Sequence, residues 1–254
     1  MDDHNLFTDA PREAPGLVHR IDPRARIVFA FAASISLVAF REVPVLSVAV
    51  GFGLVLCVVA RTPFAVVFNR LLGLNLFMAT LFVLLPIGAP GPPLLMLGQI
   101  PYSAEGLVQA ACIALRGNAI VLVLTALIGG IEPVTFGHAM QHLRVPAKLV
   151  QLFLFTVRYI AVLDQEQRQL RTALRVRAFE PRMDLHTLRT YGNLVGMLLV
   201  RALDRSERIH AAMRCRAFHG VFFSRHEFGF GRTDALAGAV LATVLVSLAW
   251  MQWA

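Results

Sequence analysis

Ala173-Leu-Arg-Val-Arg-Ala-Phe179 and Ala212-Met-Arg-Cys-Arg-Ala-Phe218 are one short basic phrase written twice, 39 residues apart. Each copy closes a segment that begins apolar and ends charged. Leu149 to Leu163 is apolar on nearly every face, broken only by Arg158, and leads through Asp164, Glu166, Arg168 and Arg171 to Arg175 and Arg177. Leu194 to Leu203 repeats that character and is followed by Asp204, Glu207, Arg208, Arg214 and Arg216. Pro146 suits a first helical turn, Pro181 separates the two halves, and Gly220 is placed to end the second. The spacing predicts two long helices, Val145 to Phe179 and Asp184 to Phe218, with Gly192 and Gly196 as weak points in the second. Each would be about 50 Å long. Their apolar halves are too short and too interrupted to span a bilayer with assurance, yet too apolar to face water, so they are expected to lie near the membrane boundary against a partner.

The rest of the 254-residue chain sets these helices in a membrane protein. It is 57% apolar and 16% charged, the composition of a polytopic membrane protein. Apolar runs occur at Ile27 to Phe40, Val43 to Ala60, Leu71 to Ile87, Leu107 to Gly130 and Ala235 to Trp253. The first covers only about 21 Å against a bilayer core of roughly 30 Å, so it is read as a short span, extended through Ala25 or thinning the bilayer. Pro44, Pro63, Pro86 and Pro101 punctuate the ends of these runs. The expected architecture is all-α: about five transmembrane helices, with the two long helices inserted before the last. The corresponding regions are 1–130, 131–232 and 233–254. Residues 1 to 20 are polar, of mixed charge and contain two prolines, so the first apolar segment is expected to remain as an anchor.

Net charge is +8, and its distribution decides orientation. Ile131 to Arg232 holds 16 of 24 basic residues and 8 of 16 acidic ones. Arg12, Arg20, Arg24 and Arg26 precede the first run, Arg61 and Arg70 separate the second from the third, and the opposite loops keep only Arg41. Basic residues are retained on the cytoplasmic side. Five spans with the N terminus and the basic stretch in the cytoplasm satisfy every loop.

Several chemistries lack their residues. Lys148 is the only lysine, and Pro146-Ala-Lys-Leu149 has no glycine-rich approach, so no phosphate-binding P-loop can be built. Cys57, Cys112 and Cys215 are odd in number and scattered, and suggest neither a disulfide framework nor a metal site. His138 and His142 would share a helical face, but only Glu132 lies near them, so they read as interfacial rather than metal-ligating. His186, His210, His219 and His226 read as surface residues. Arg116 falls inside the fourth apolar run with no acidic partner in any run, so it is expected to snorkel or to bond backbone carbonyls, with contact to a partner subunit as the alternative. Asn69, Arg70 and Asn75 read as interface and interhelix hydrogen-bonding groups.

The paired arginines are the candidate site: Arg177 and Arg216 with Arg175 and Arg214 beside them and Ala178 and Ala217 after them. Capping of a helix dipole explains one arginine per helix. It does not explain a small residue and a phenylalanine at matching offsets in both copies. A guanidinium's rigid fork suits a groove lined with carboxylates and carbonyls, and alanine lets a partner backbone come close. Presented twice, it suggests docking to a two-fold partner.

The chain resembles the transmembrane T component of energy-coupling-factor transporters, in particular the CbiQ-like branch of cobalt and nickel systems. The resemblance is carried by Asp22-Pro-Arg-Ala-Arg26, by Leu143-Arg-Val-Pro146 with Arg158-Tyr159, and by Arg205-Ser-Glu-Arg-Ile-His-Ala-Ala-Met-Arg-Cys-Arg-Ala-Phe-His-Gly220. It implies a non-catalytic scaffold subunit in the cell (inner) membrane, without a cofactor. The implied partners are two cytoplasmic ATPase subunits, each taking one arginine, a substrate-binding membrane subunit and the lipid bilayer. Arg177 and Arg216 match the central residue of the family's Ala-Arg-Gly-like triplets. This chain has alanine where glycine is usual in both copies, which favours helix continuing one residue further. A vitamin transporter of the same type is the alternative. An integral-membrane enzyme with an arginine anion clamp lacks a base, nucleophile or metal set. A nucleic-acid binder is disfavoured because eight acids are interleaved with the basic residues.

Overall fold

A computed structural model describes residue 18 and residues 21–88, 93–97, 100–217 and 231–253. Eight helices are found among them: α1 (Pro23–Ala39), α2 (Val43–Val59), α3 (Phe64–Gly88), α4 (Ala104–Leu127), α5 (Pro133–His142), α6 (Ala147–Val176), α7 (Leu185–Cys215) and α8 (Arg232–Trp253). The chain is all-α in class. Between α3 and α4, β1 (Pro93–Leu97) and β2 (Ile100–Ser103) pair antiparallel in a hairpin too small to alter that. The described residues form two compact units, residues 133–217 in one and residues 18–132 with 231–253 in the other.

In the larger unit, α4 is the central post, and α1, α2 and α3 all pack on it. The core is built of small and branched side chains: Ala30, Ala33 and Leu37 of α1, Val45, Leu46 and Ala49 of α2, and Ala119, Leu122, Val123 and Ala126 of α4. In lipid there is no hydrophobic drive between helices, so close approach has to come from small residues. Gly53 shows this directly, because a Cβ there would lie 2.8 Å from the Leu122 Cβ. The opposite faces of the same helices stay apolar and uncovered, as Phe31, Val58, Phe64 and Leu76 do, which is the arrangement lipid requires. Trp250 and Trp253 mark one end of α8, the position of an interfacial aromatic belt.

Phe64–Pro86, Ala104–Leu127 and Thr233–Trp253 are long and apolar enough to cross a membrane, and Val43–Val59 is a shorter apolar helix. At 17 residues, α1 and α2 each rise about 25 Å. The first helix does extend past Ala25, to Pro23, but it stops at Ala39, so the first pair of helices remains short. On the other side of α2, α3 starts at Phe64, directly after Pro63 and seven residues ahead of the apolar run at Leu71, which brings Asn69 and Arg70 inside the helix.

The ends of these helices are pinned by polar groups. At one end of the bundle, Asp22 caps α1, its Oδ1 accepting the Arg24 amide at 2.9 Å. Arg26, buried, donates from Nε to the carbonyl of Leu127, the last residue of α4, at 2.7 Å. Arg70 donates to the Thr125 hydroxyl at 2.9 Å. Asp234, in the first turn of α8 and buried, accepts the Asp22 amide at 2.8 Å on one oxygen and the Gly231 amide at 2.8 Å on the other. Midway along α4, Arg116 donates to the Phe40 carbonyl at the C-cap of α1, 2.6 Å away. A backbone carbonyl is one of the outcomes expected of it. Cys112 Sγ donates to the Arg41 carbonyl at 3.3 Å, and Asn118 donates to Asn75 at 2.9 Å.

The smaller unit contains α5, α6 and α7. No separate helix was expected at Pro133–His142, because ten residues with a central glycine carry little periodic signal. Gly137 is what lets α5 lie on α6: a Cβ there would stand 2.5 Å from a methyl carbon of Leu154. Beside it the rings of Phe136 and Phe153 meet at 5.8 Å. The long helices run 30 and 31 residues, about 45 Å each.

Candidate functional site

The two arginine phrases end α6 and α7 in the same way. Arg177 caps α6 with φ −83° and ψ 18°, and Arg216 caps α7 with φ −93° and ψ 18°. The following alanines are both left-handed, Ala178 at φ 55° and Ala217 at φ 54°. The expectation that alanine would carry the helix one residue further is therefore corrected, since each helix stops at its arginine. The reason is visible in the hydrogen bonds. The Phe179 amide reaches back to the Leu174 carbonyl at 3.1 Å, and the Ala178 amide reaches Arg175 at 3.0 Å. These two bonds make a Schellman cap, which demands a left-handed residue at the alanine position. In the second copy the Ala217 amide bonds the Arg214 carbonyl at 3.1 Å, while Phe218, His219, Gly220 and His226 lie outside the described residues.

The left-handed alanine bends the backbone directly after each arginine, so each arginine stands at a corner. Arg175, Arg177, Arg214 and Arg216 are all exposed, as are Ala178 and Ala217. Arg175 and Arg214 sit in the last helical turns, one turn-fraction behind the caps. The first corner is braced from the far side, where the Phe179 ring lies 6.1 Å from Tyr191, edge to face, and 6.1 Å from His186. His186 is exposed, as expected, and its ring also stands against the turn after the first arginine phrase.

The two helices touch through Glu166 of α6 and Arg205 of α7, which form an ion pair with side chains 12% and 35% exposed. A cleft of about 600 Å³ opens beside the pair, lined by Phe155, Tyr159 and Leu163 of α6 and by Ile209, His210 and Met213 of α7. Sequence reasoning saw Glu166 only as a member of a charged run and Arg205 only as the head of the stretch that carries the resemblance. The one signal that could have singled them out is their spacing, which repeats the 39-residue offset of the arginine phrases.

Both helices leave a large apolar surface uncovered within this unit. Leu149 and Leu152 on α6, and Leu185, Leu188, Val195 and Leu199 on α7, are all at least half exposed. A patch of this size calls for protein or lipid against it. His138 and His142 do lie one turn apart on α5. Among the described residues no group of three or more His, Cys, Asp or Glu side chains comes within reach of one metal ion.

Comparison with known proteins places this arrangement. A family model described as CbiQ, cobalt transport protein, matches residues 16–227, most of the chain. The chain belongs to the CbiQ family. Over nearly its full length this CbiQ-family chain is 21% identical to the energy-coupling factor transporter transmembrane protein EcfT of Acidaminococcus fermentans, covering 93% of this chain and 92% of the relative. It is 25% identical to EcfT of Bacillus subtilis, over 80% of this chain and 81% of that one. The cobalt transport protein CbiQ of Rhodobacter capsulatus is 27% identical across 48% of this chain and 49% of its own length. The CbiQ-family chain is a transmembrane transport protein of the energy-coupling-factor type, and its relatives are transporter components rather than enzymes.

Proposed function

We propose that this chain is the coupling subunit of an ATP-driven importer, with Arg177 and Arg216 seated in matching grooves of two cytoplasmic ATPase subunits. The observation that carries the reading is the duplicate corner: two exposed arginines, each capping a long helix and each followed by a left-handed alanine. Arg175 and Arg214 add charge to the same two contacts, and Ala178 and Ala217 keep the approach clear of bulk. When the nucleotide-binding subunits close, the tips are carried with their grooves. The helices then transmit that motion to a substrate-binding membrane subunit held on their apolar surface. The chain itself performs no hydrolysis.

The membrane in question is the cell, or inner, membrane, with the N terminus and the arginine tips in the cytoplasm, because the arginines of the flanking segments are retained there. Cobalt is the proposed cargo, on the strength of the family description, and nickel, a divalent ion of similar size, is the next candidate. A place beside cobalamin biosynthesis follows from that cargo. Substrate choice would rest with the membrane partner.

Copurification tests the docking. Arg177→Glu together with Arg216→Glu should abolish retention of the ATPases in a detergent pull-down while leaving membrane insertion intact. Reversing one charge-assisted contact is expected to weaken retention at least tenfold, since such bonds are worth about 1.5–3 kcal/mol each. Full retention by the double variant would overturn the reading.

A further inference from the structure

We propose that the Glu166–Arg205 pair is the fixed pivot on which the two arginine-tipped helices turn, and that it positions Arg177 relative to Arg216. This deepens the docking reading above and rests on it for its functional meaning. The geometry stands by itself. Glu166 precedes Arg177 by the same number of residues as Arg205 precedes Arg216, so both arms from pivot to tip are about 16 Å long. Equal arms turn any change in tip separation into an equal and symmetric rotation of the two helices.

An ion pair holds this crossing because little else does. Val150 and Glu166 are the buried residues of α6, and Leu194 that of α7. Beside the pair, the cleft parts Phe155, Tyr159 and Leu163, which precede Glu166 on α6, from a stretch of α7 that runs from Ala202 through Arg205 to Met213. Among the described residues, the apolar side chains that face this cleft are parted by it and do not set the register. Apolar ridges also permit sliding by one groove, whereas a half-buried charge pair does not, because a displaced partner leaves an uncompensated charge behind. Oε2 of Glu166 and Nε of Arg205 are enclosed as well and have no other hydrogen-bond partner. The pair can therefore rotate about its axis and exchange one bond for two without meeting a competitor. It allows swivel and forbids slip.

The test uses the full chain in detergent, with nitroxide labels on Thr172→Cys and Ala211→Cys. These are exposed positions on the tip side of the pivot and are related by the same 39-residue offset. Cys57, Cys112 and Cys215 are replaced by serine or alanine. The unmodified pair should give a single narrow label–label distance. Glu166→Gln or Arg205→Met should broaden the distribution about twofold, and the exchange of Glu166→Arg with Arg205→Glu should narrow it again. Because Glu166→Gln removes charge but not shape, it keeps the test usable if a single reversal fails to fold. A Glu166→Gln distribution superimposable on the parent, or an exchanged pair as broad as the single variants, overturns the proposal. Retention of the ATPases is read in parallel. A variant that keeps the narrow distance yet loses the ATPases would make the pair a docking contact and also overturn it. Failure of the docking reading would be seen separately, as retention by the Arg177→Glu, Arg216→Glu variant with the distance results unchanged.

Discussion

Ala178 and Ala217 hold a backbone conformation that costs an L-residue about 1–2 kcal/mol. They hold it because the cap compensates. At the first copy two backbone hydrogen bonds close the helix end, and the Phe179 ring packs on Tyr191 and His186. From sequence alone, alanine is the best helix former and reads as continuation; the ring contacts that help overrule it come from residues eight and more positions downstream of Ala178. Glycine has no Cβ to strain at these positions, although its looser unfolded chain returns part of the gain. Ala178→Gly or Ala217→Gly is therefore expected to stabilise the chain by about 0.5–1 kcal/mol each, read as a rise in thermal midpoint in detergent. Ala178→Val should lower it, since a branched side chain tolerates a left-handed backbone least. A helix running on through the alanine would make Ala178→Gly destabilising instead. Arg61 and Arg144 occupy the same left-handed position after α2 and α5, so four helix ends in this chain are closed without glycine among the described residues.

At the level of elements, apolar runs located the membrane helices and charge located the two long ones, because both are one-dimensional signals. Asp22-Pro-Arg-Ala-Arg26 was legible as a basic flank and as a resemblance. Its physical content is a knot of three helix ends: Asp22 caps α1, Arg26 bonds the last carbonyl of α4, and Asp234 of α8 grips the Asp22 amide. Asp234 carried no signal at all, as a single acid at the edge of an apolar run with its partner 212 positions away. Its carboxylate is buried and serves two amides. Asp234→Ala would leave both donors unpaired, at about 1–3 kcal/mol apiece. The expected loss is about 2–5 kcal/mol, with Asp234→Asn intermediate because its amide nitrogen cannot accept the second bond. Thermal unfolding in detergent checks this, and equal midpoints for all three would show that the knot does not hold the bundle. Helix α5 was missed for a different reason: ten residues, one turn of apolar spacing, and a glycine whose purpose is apparent only when Leu154 is against it.

For the whole molecule, the orientation argument and the docking argument meet at one side chain. Cys215 lies between Arg214 and Arg216 and is exposed, whereas Cys57 is buried and Cys112 intermediate. If arginine retention sets the topology, the corner carrying Cys215 is cytoplasmic. In a chain with Cys57→Ala and Cys112→Ser, a membrane-impermeant maleimide added to intact cells should leave Cys215 unlabelled. The same reagent should label it to completion once the membrane is opened. Labelling in intact cells would place the arginine tips outside and remove any route to a cytoplasmic ATPase. Adding the ATPase pair to opened membranes should then slow labelling at least tenfold, because a seated Arg216 puts the neighbouring thiol under its partner, with burial of a contact worth about 1.4 kcal/mol sufficient for that factor. Protection that also requires Arg216 and disappears with Arg216→Glu ties the topology to the contact. Accessibility unchanged by the ATPases would show the corner free in the assembly, and with it the docking role would fall even if the topology held.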